Sequence, residues 1–130
     1  MARHDMIFPD HLPIVAPADN IPGPGQGHWT YKDYAALPDD GNRYEVVDGV
    51  LFMVPSPGSE HQNAVGEIFV HLREYIKLRG LGKVFLAPLD VELAPDVVVQ
   101  PDVIVILNDQ RKKITHNRIM GAPDLVVEVV

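Results

Sequence analysis

The chain has 130 residues and a mass of 14.4 kDa, the usual size of one domain, which argues against an enzyme with separate cofactor and substrate lobes. Its 46% apolar content and mean hydropathy of zero are those of a water-soluble globular chain, and no apolar run nears the roughly 18 residues that cross a bilayer. A formal charge of −7 argues against a coat protein that holds nucleic acid by phosphate neutralisation alone, and zero cysteines exclude disulfides, thiolate zinc sites and cysteine nucleophiles. Asp, Glu and His remain as side-chain metal ligands, a set that favours hard, oxygen-liganded cations. Met1-Ala2-Arg3-His4-Asp5 leads into prolines where an export signal needs its apolar run, so the expected compartment is the cytoplasm.

In chain order, residues 1–28 carry Pro9, Pro13, Pro17, Pro22 and Pro24 with Gly23, Gly25 and Gly27, a composition that disfavours helix interiors and central strands and reads as an arm outside the core. Residues 29–130 then form the domain. Thr30 with Asp33 predicts a capping box and a short helix that Pro38 stops. Tyr44–Val47 and Val50–Val54 flank Asp48-Gly49, which suits the positive φ angles of a two-residue hairpin turn. Ser59 with Gln62 predicts a second capping box. Beyond it Ala64, Val65, Ile68, Phe69, Leu72, Tyr75 and Ile76 form one apolar helical stripe until Gly80. Four β-branched runs follow: Lys83–Ala87, Leu89–Leu93, Val97–Leu107 and Leu125–Val130. The segment between the last two, residues 108–120, is polar and basic. The predicted class is α+β or mixed α/β, a sheet with helices on its face.

Asp102 and Glu128 are lone acids inside apolar runs, and a desolvated carboxylate is costly unless paired or metal-bound. Two readings are open at this level. On neighbouring strands the two acids could converge on one divalent cation; alternatively, each faces solvent from an edge strand. Asp124 is excluded from such a pair, because four strand residues separate it from Glu128 by about 13 Å.

Arg43-Tyr44-Glu45-Val46-Val47-Asp48-Gly49, Pro55-Ser56-Pro57 with His61, Leu86-Ala87-Pro88-Leu89-Asp90-Val91, Gln100-Pro101-Asp102 and Gly121-Ala122-Pro123-Asp124-Leu125-Val126-Val127-Glu128-Val129 together resemble the Uma-two family of restriction-endonuclease-like proteins, part of the PD-(D/E)XK nuclease superfamily. The resemblance runs in order from about residue 29 to the last residue. It implies a restriction-endonuclease-like mixed sheet with flanking helices and metal-dependent hydrolysis of DNA. It further implies Asp102 and Glu128 as ligands to Mg²⁺ or Mn²⁺, Glu45 as an accessory catalytic acid and His61 at the edge of the site.

This sequence departs from the superfamily pattern where a lysine would follow the glutamate by two residues, since position 130 is Val130. The apolar ending predicts an incomplete C-terminal part of the core and self-association through an open strand edge. It also raises a rival expectation, a non-catalytic remnant acting as an oligomeric or regulatory binding protein. Arg111-Lys112-Lys113 with His116 and Arg118 reads as a solvated charge cluster before it reads as a phosphate contact. The histidines lack metalloprotease spacing.

Overall fold

The computed structural model describes residues 15–130. Its elements are β1 (Ala16–Pro17), α1 (Tyr31–Ala35), β2 (Arg43–Val47), β3 (Val50–Val54), α2 (Ser59–Leu78), β4 (Gly82–Leu86), β5 (Asp90–Ala94), β6 (Val97–Val99), β7 (Val103–Leu107), β8 (Arg118–Met120) and β9 (Leu125–Val127). They build an α+β fold with two sheets, a larger one in the order β1-β3-β2-β6-β5-β8 and a smaller one in the order β4-β7-β9. The larger sheet is mixed, because β5 and β8 run parallel while its other neighbours are antiparallel. No helix among the described residues is long and apolar enough to cross a membrane.

Local chemistry accounts for much of this. Asp33 Oδ2 accepts from both the Thr30 backbone N–H at 3.0 Å and the Thr30 hydroxyl at 2.8 Å, closing the N-terminus of α1. Asp48 and Gly49 turn the β2–β3 hairpin with φ of 51° and 78°, the left-handed pair that a two-residue turn requires. Gly49 is also needed for space, because a β carbon there would press into the Gly27 carbonyl. Its own carbonyl accepts the N–H groups of Gly27 and Trp29, each at 2.9 Å.

Those bonds bear on the Pro/Gly-rich segment. Residues 1–14 lie outside the described residues, but from residue 15 onward the segment is more than an arm on the surface. β1 pairs with β3, and Ala18 is buried in a cluster with Trp29, Tyr44, Val46, Leu51 and Val98. Gln26 replaces a strand neighbour with its side chain, donating to the Leu51 carbonyl at 2.9 Å and accepting the Leu51 N–H at 2.7 Å. Proline and glycine disfavour regular elements without forbidding burial, and this segment is fixed by side chains and turns.

α2 starts at Ser59 as expected, with a different cap. Gly58 in extended conformation is the N-cap residue, no side-chain cap bond forms, and the Gln62 N–H bonds to the Gly58 carbonyl at 3.0 Å. Val65 and Ile76 are its buried residues. Phe69 is half-buried, and Tyr75 is exposed with the Arg79 guanidinium 4.0 Å above its ring. The stripe is therefore narrower than its apolar composition implies. α2 lies against β4 and β7.

The run Val97–Leu107, expected as one strand, is two strands in different sheets. Pro101 has no N–H to continue a ladder, and the Gln100 N–H is taken by the Glu45 carboxylate at 2.7 Å. The chain leaves the larger sheet after β6 and enters the centre of the smaller one as β7. Val103 through Ile106 are all buried, with Ile104 and Ile106 packed on Val91 and Ile119 of β5 and β8. Alternation turns Val103 and Val105 the other way, toward α2. A strand buried on both faces explains the unbroken apolar run.

Candidate metal centre

Asp102 stands at the N-terminal end of β7 and Glu128 one residue past β9. The two strands are antiparallel, with Val103 opposite Val127 and Val105 opposite Leu125. One step further along this ladder, Asp102 faces Glu128. The two are tied reciprocally: the Asp102 N–H donates to Glu128 Oε1 at 3.1 Å, and the Val129 N–H donates to Asp102 Oδ2 at 2.8 Å. On its other side Asp102 is fixed by its carbonyl, which accepts the Ala87 N–H at 3.0 Å beyond the β4–β7 ladder. The adjacency that was one of two open readings is thus realised, while Glu128 itself lies just outside the strand instead of within it.

Asp102 is the buried charged residue among the described residues, at 8% exposure. His61, in the first turn of α2, sets Nε2 at 3.2 Å from Asp102 Oδ2. Its other ring nitrogen, Nδ1, is buried with no hydrogen-bond partner among the described residues. β2 brings Glu45 to the same place, since Tyr44 and Val46 point into the core and alternation turns Arg43 and Glu45 to the opposite face. Glu45 Oε2 accepts the Gln100 N–H, two residues before Asp102. Asp102, Glu128 and Glu45 each have one oxygen held by a backbone donor, and Asp102 Oδ1, Glu128 Oε2 and Glu45 Oε1 accept no hydrogen bond among the described residues.

Burial pushes the Glu128 carboxyl above its ordinary pKa, helped by the neighbouring negative charge of Asp102 and, less, of Glu45; the backbone bond from Asp102 and the Arg43 guanidinium pull the other way. Glu128 is exposed at the rim, so solvent screening moderates these effects. Because the folded state holds this proton more tightly than the unfolded chain does, the associated stability is present at low pH and lost as pH rises through the folded-state pKa. Glu128→Gln, which keeps the acceptor for the Asp102 N–H, is expected to raise the thermal midpoint in EDTA at neutral pH. The gain should lie within the roughly 0.5 kcal/mol of exposed substitutions and vanish on acidification. A midpoint lowered at neutral pH would contradict this.

A second layer lies behind the acids, and sequence reasoning assigned it no role. Gln100 Nε2 donates to Asp90 Oδ1 at 2.9 Å and to the Tyr34 hydroxyl at 3.2 Å, while its Oε1 accepts from Arg43 Nε at 3.0 Å. Tyr34 donates its own proton to Asp90 Oδ1 at 2.7 Å, and burial together with that bond pushes its phenol pKa far up. The legible signal was spacing at Arg43, which stands two residues before Glu45 on β2 and hence on its side of the strand.

Other candidates are absorbed elsewhere. Arg118 pairs with Glu92 at 2.8 Å and lies 4.0 Å over the Tyr31 ring, Lys113 Nζ donates to the Ala122 carbonyl at 2.8 Å, and Asp124 accepts the Leu107 N–H at 2.7 Å. Among the described residues no three histidine or carboxylate side chains form a ready cation cage.

The family model described as "Uma2: Putative restriction endonuclease" matches residues 31–130. The chain belongs to the Uma2 family. No curated protein matches the chain. Among solved structures this Uma2 chain is similar to the crystal structure of a "putative nuclease belonging to DUF820" from Anabaena variabilis ATCC 29413, with TM-score 0.65 and 21% identity. The likeness covers 78% of this chain and 58% of that one, so the Uma2 chain spans little more than half of the neighbour's length. At that identity the likeness establishes a shared fold.

Proposed function

We propose that this Uma2-family chain is a divalent-cation-dependent DNA endonuclease whose Asp102 and Glu128 hold Mg²⁺ or Mn²⁺. The observation that carries the reading is the reciprocal bonding of two opposed acids, which orients both carboxylates and leaves an oxygen of each without a donor. Such a donor set fits a hard cation, and one or two carboxylates completed by water suffice for Mg²⁺. When bound, the cation would polarise the phosphodiester and ready a water for attack. Asp102 keeps its orientation through Val129 and His61, and Glu45, fixed by Gln100, is positioned to orient the attacking water by its second oxygen. His61 lies at the edge of the site as a partner of Asp102.

A second reading, a binding protein without catalysis, is favoured by Val130, which stands where the superfamily pattern has lysine. Nicking of supercoiled plasmid separates the two. The nuclease reading predicts cleavage with Mn²⁺ that EDTA abolishes; cation binding with no cleavage supports the binding protein; cleavage indifferent to EDTA contradicts the metal-dependent reading.

Three coarser proposals accompany it. Residues 29–130 form the endonuclease-like domain, with residues 15–28 packed onto its β2–β3 hairpin, and the compartment is the cytoplasm. The chain also self-associates through β9, which has β7 as its sole strand neighbour among the described residues and exposes Leu125 and Val126. Light scattering at tens of micromolar is expected to show a dimer or larger, and a monodisperse monomer would contradict it.

A further inference from the structure

The nuclease reading leaves one requirement open, a positive charge for the phosphate, since Val130 stands where the superfamily pattern has lysine. We infer that Arg43 supplies it, with a guanidinium held by Gln100 to receive a non-bridging phosphate oxygen of the nucleic acid beside the Asp102–Glu128 pair. The inference rests on the proposed cation site and adds to it a phosphate-contacting residue that is not a lysine.

Three observations carry it. Arg43 shares a strand face with Glu45 and is half-buried, yet among the described residues it enters no ion pair; the pairs are His61–Asp102, His71–Glu67 and Arg118–Glu92. In a chain of net charge −7, a half-buried guanidinium without a carboxylate partner has lost hydration with no counter-ion to replace it, an arrangement that favours an incoming anion. Second, its contacts leave it donors to spare. Nε donates to Gln100 Oε1 and one terminal nitrogen reaches the Gln100 carbonyl at 3.5 Å, while the other terminal nitrogen has no acceptor among the described residues. A guanidinium offers five N–H donors in a planar fork that matches a phosphate.

Third, the anchor is itself anchored. Asp90 and the Tyr34 hydroxyl both contact Gln100 Nε2, which settles the amide so that its oxygen faces Arg43. The same Gln100 gives its backbone N–H to Glu45 and stands two residues before Asp102. One residue thus ties the guanidinium to the acids.

The test uses fluorescence anisotropy of a short labelled DNA duplex with Mn²⁺, read before turnover over a range of salt, beside calorimetric Mn²⁺ titration of the same proteins. Arg43→Gln is expected to weaken DNA binding about tenfold and to lower the slope of log affinity against log salt by about 1, the loss of one phosphate contact. Its Mn²⁺ affinity should be equal or higher, because a positive charge near the cation is gone. Arg43→Lys should recover the slope and part of the affinity. Arg73→Gln, on the exposed side of α2, serves as a charge control and should leave affinity near wild type. If the wild type binds duplex in a Mn²⁺-dependent way and Arg43→Gln has the same affinity and slope, the role of Arg43 is overturned while the nuclease reading stands. If Arg43→Gln and Arg43→Lys both lose Mn²⁺ affinity, Arg43 is a structural support and the inference fails. If the wild type shows no Mn²⁺-dependent binding, the nuclease reading fails first and takes this inference with it.

Discussion

Trp29→Ala is expected to remove about 3–5 kcal/mol of stability, the range for truncating a large buried aromatic. Trp29 is 2% exposed and lies among Ala18, Tyr44, Val46, Leu51 and Val98, where the hairpin, β6 and the N-terminal segment meet. Gly23 runs so close to the indole that a β carbon there would collide with the ring, so the segment is moulded around this side chain. Truncation would open a cavity and loosen residues 15–28 from the hairpin they brace. Against a total of about 5–15 kcal/mol, such a loss could unfold much of the population at physiological temperature. Trp29→Phe should lose less and stay folded, and calorimetric unfolding of both variants checks this. A midpoint unchanged in Trp29→Ala would mean that the N-terminal segment is not part of the core.

The second large effect is expected at Asp102. Asp102→Asn keeps the size of the side chain and an acceptor for the Val129 N–H and His61, but removes the negative charge that a cation needs. Replacing a group that only orients a metal ligand commonly costs 10–100-fold in affinity, so loss of a ligand should cost at least about 100-fold in Mn²⁺ affinity, and cation-dependent cleavage should fall with it. The fold should survive, because Asp102 makes its contacts to Ala87 and Glu128 through its backbone. Calorimetric titration in Asp102→Asn reads the affinity directly; binding within threefold of wild type would remove Asp102 from the site.

Sequence reasoning reached the local features and singled out two acids that the fold brings together, and for different reasons. Asp48-Gly49 and the Thr30–Asp33 box are set by neighbours a few residues apart, so their chemistry is visible in the chain itself. Asp102 and Glu128 were conspicuous as charges in apolar runs, and family resemblance gave them roles, but that they face each other depends on the register of β7 against β9, which no short window contains. The break at Gln100-Pro101-Asp102 was hidden by the continuous β-branched run around it, although Pro101 marked where a ladder must fail. Burial of Ala18 is settled by a side-chain clamp from Gln26 and by the partner hairpin, interactions to which composition is blind. Tyr34, Asp90 and Gln100 were out of reach for the same reason: their network joins residues up to 66 positions apart.

The central claim is that one cation sits between Asp102 and Glu128, and paramagnetic broadening of backbone amide resonances by substoichiometric Mn²⁺ tests it most directly. Broadening falls steeply with distance from the ion, so the amides of Asp102, Val103, Glu128 and Val129 should disappear first, with Gln100 and His61 following, and all should persist in Asp102→Asn. Broadening centred on the exposed acids Asp39 and Asp40, or on Glu67 of α2, with the β7 and β9 ends untouched, would contradict the account.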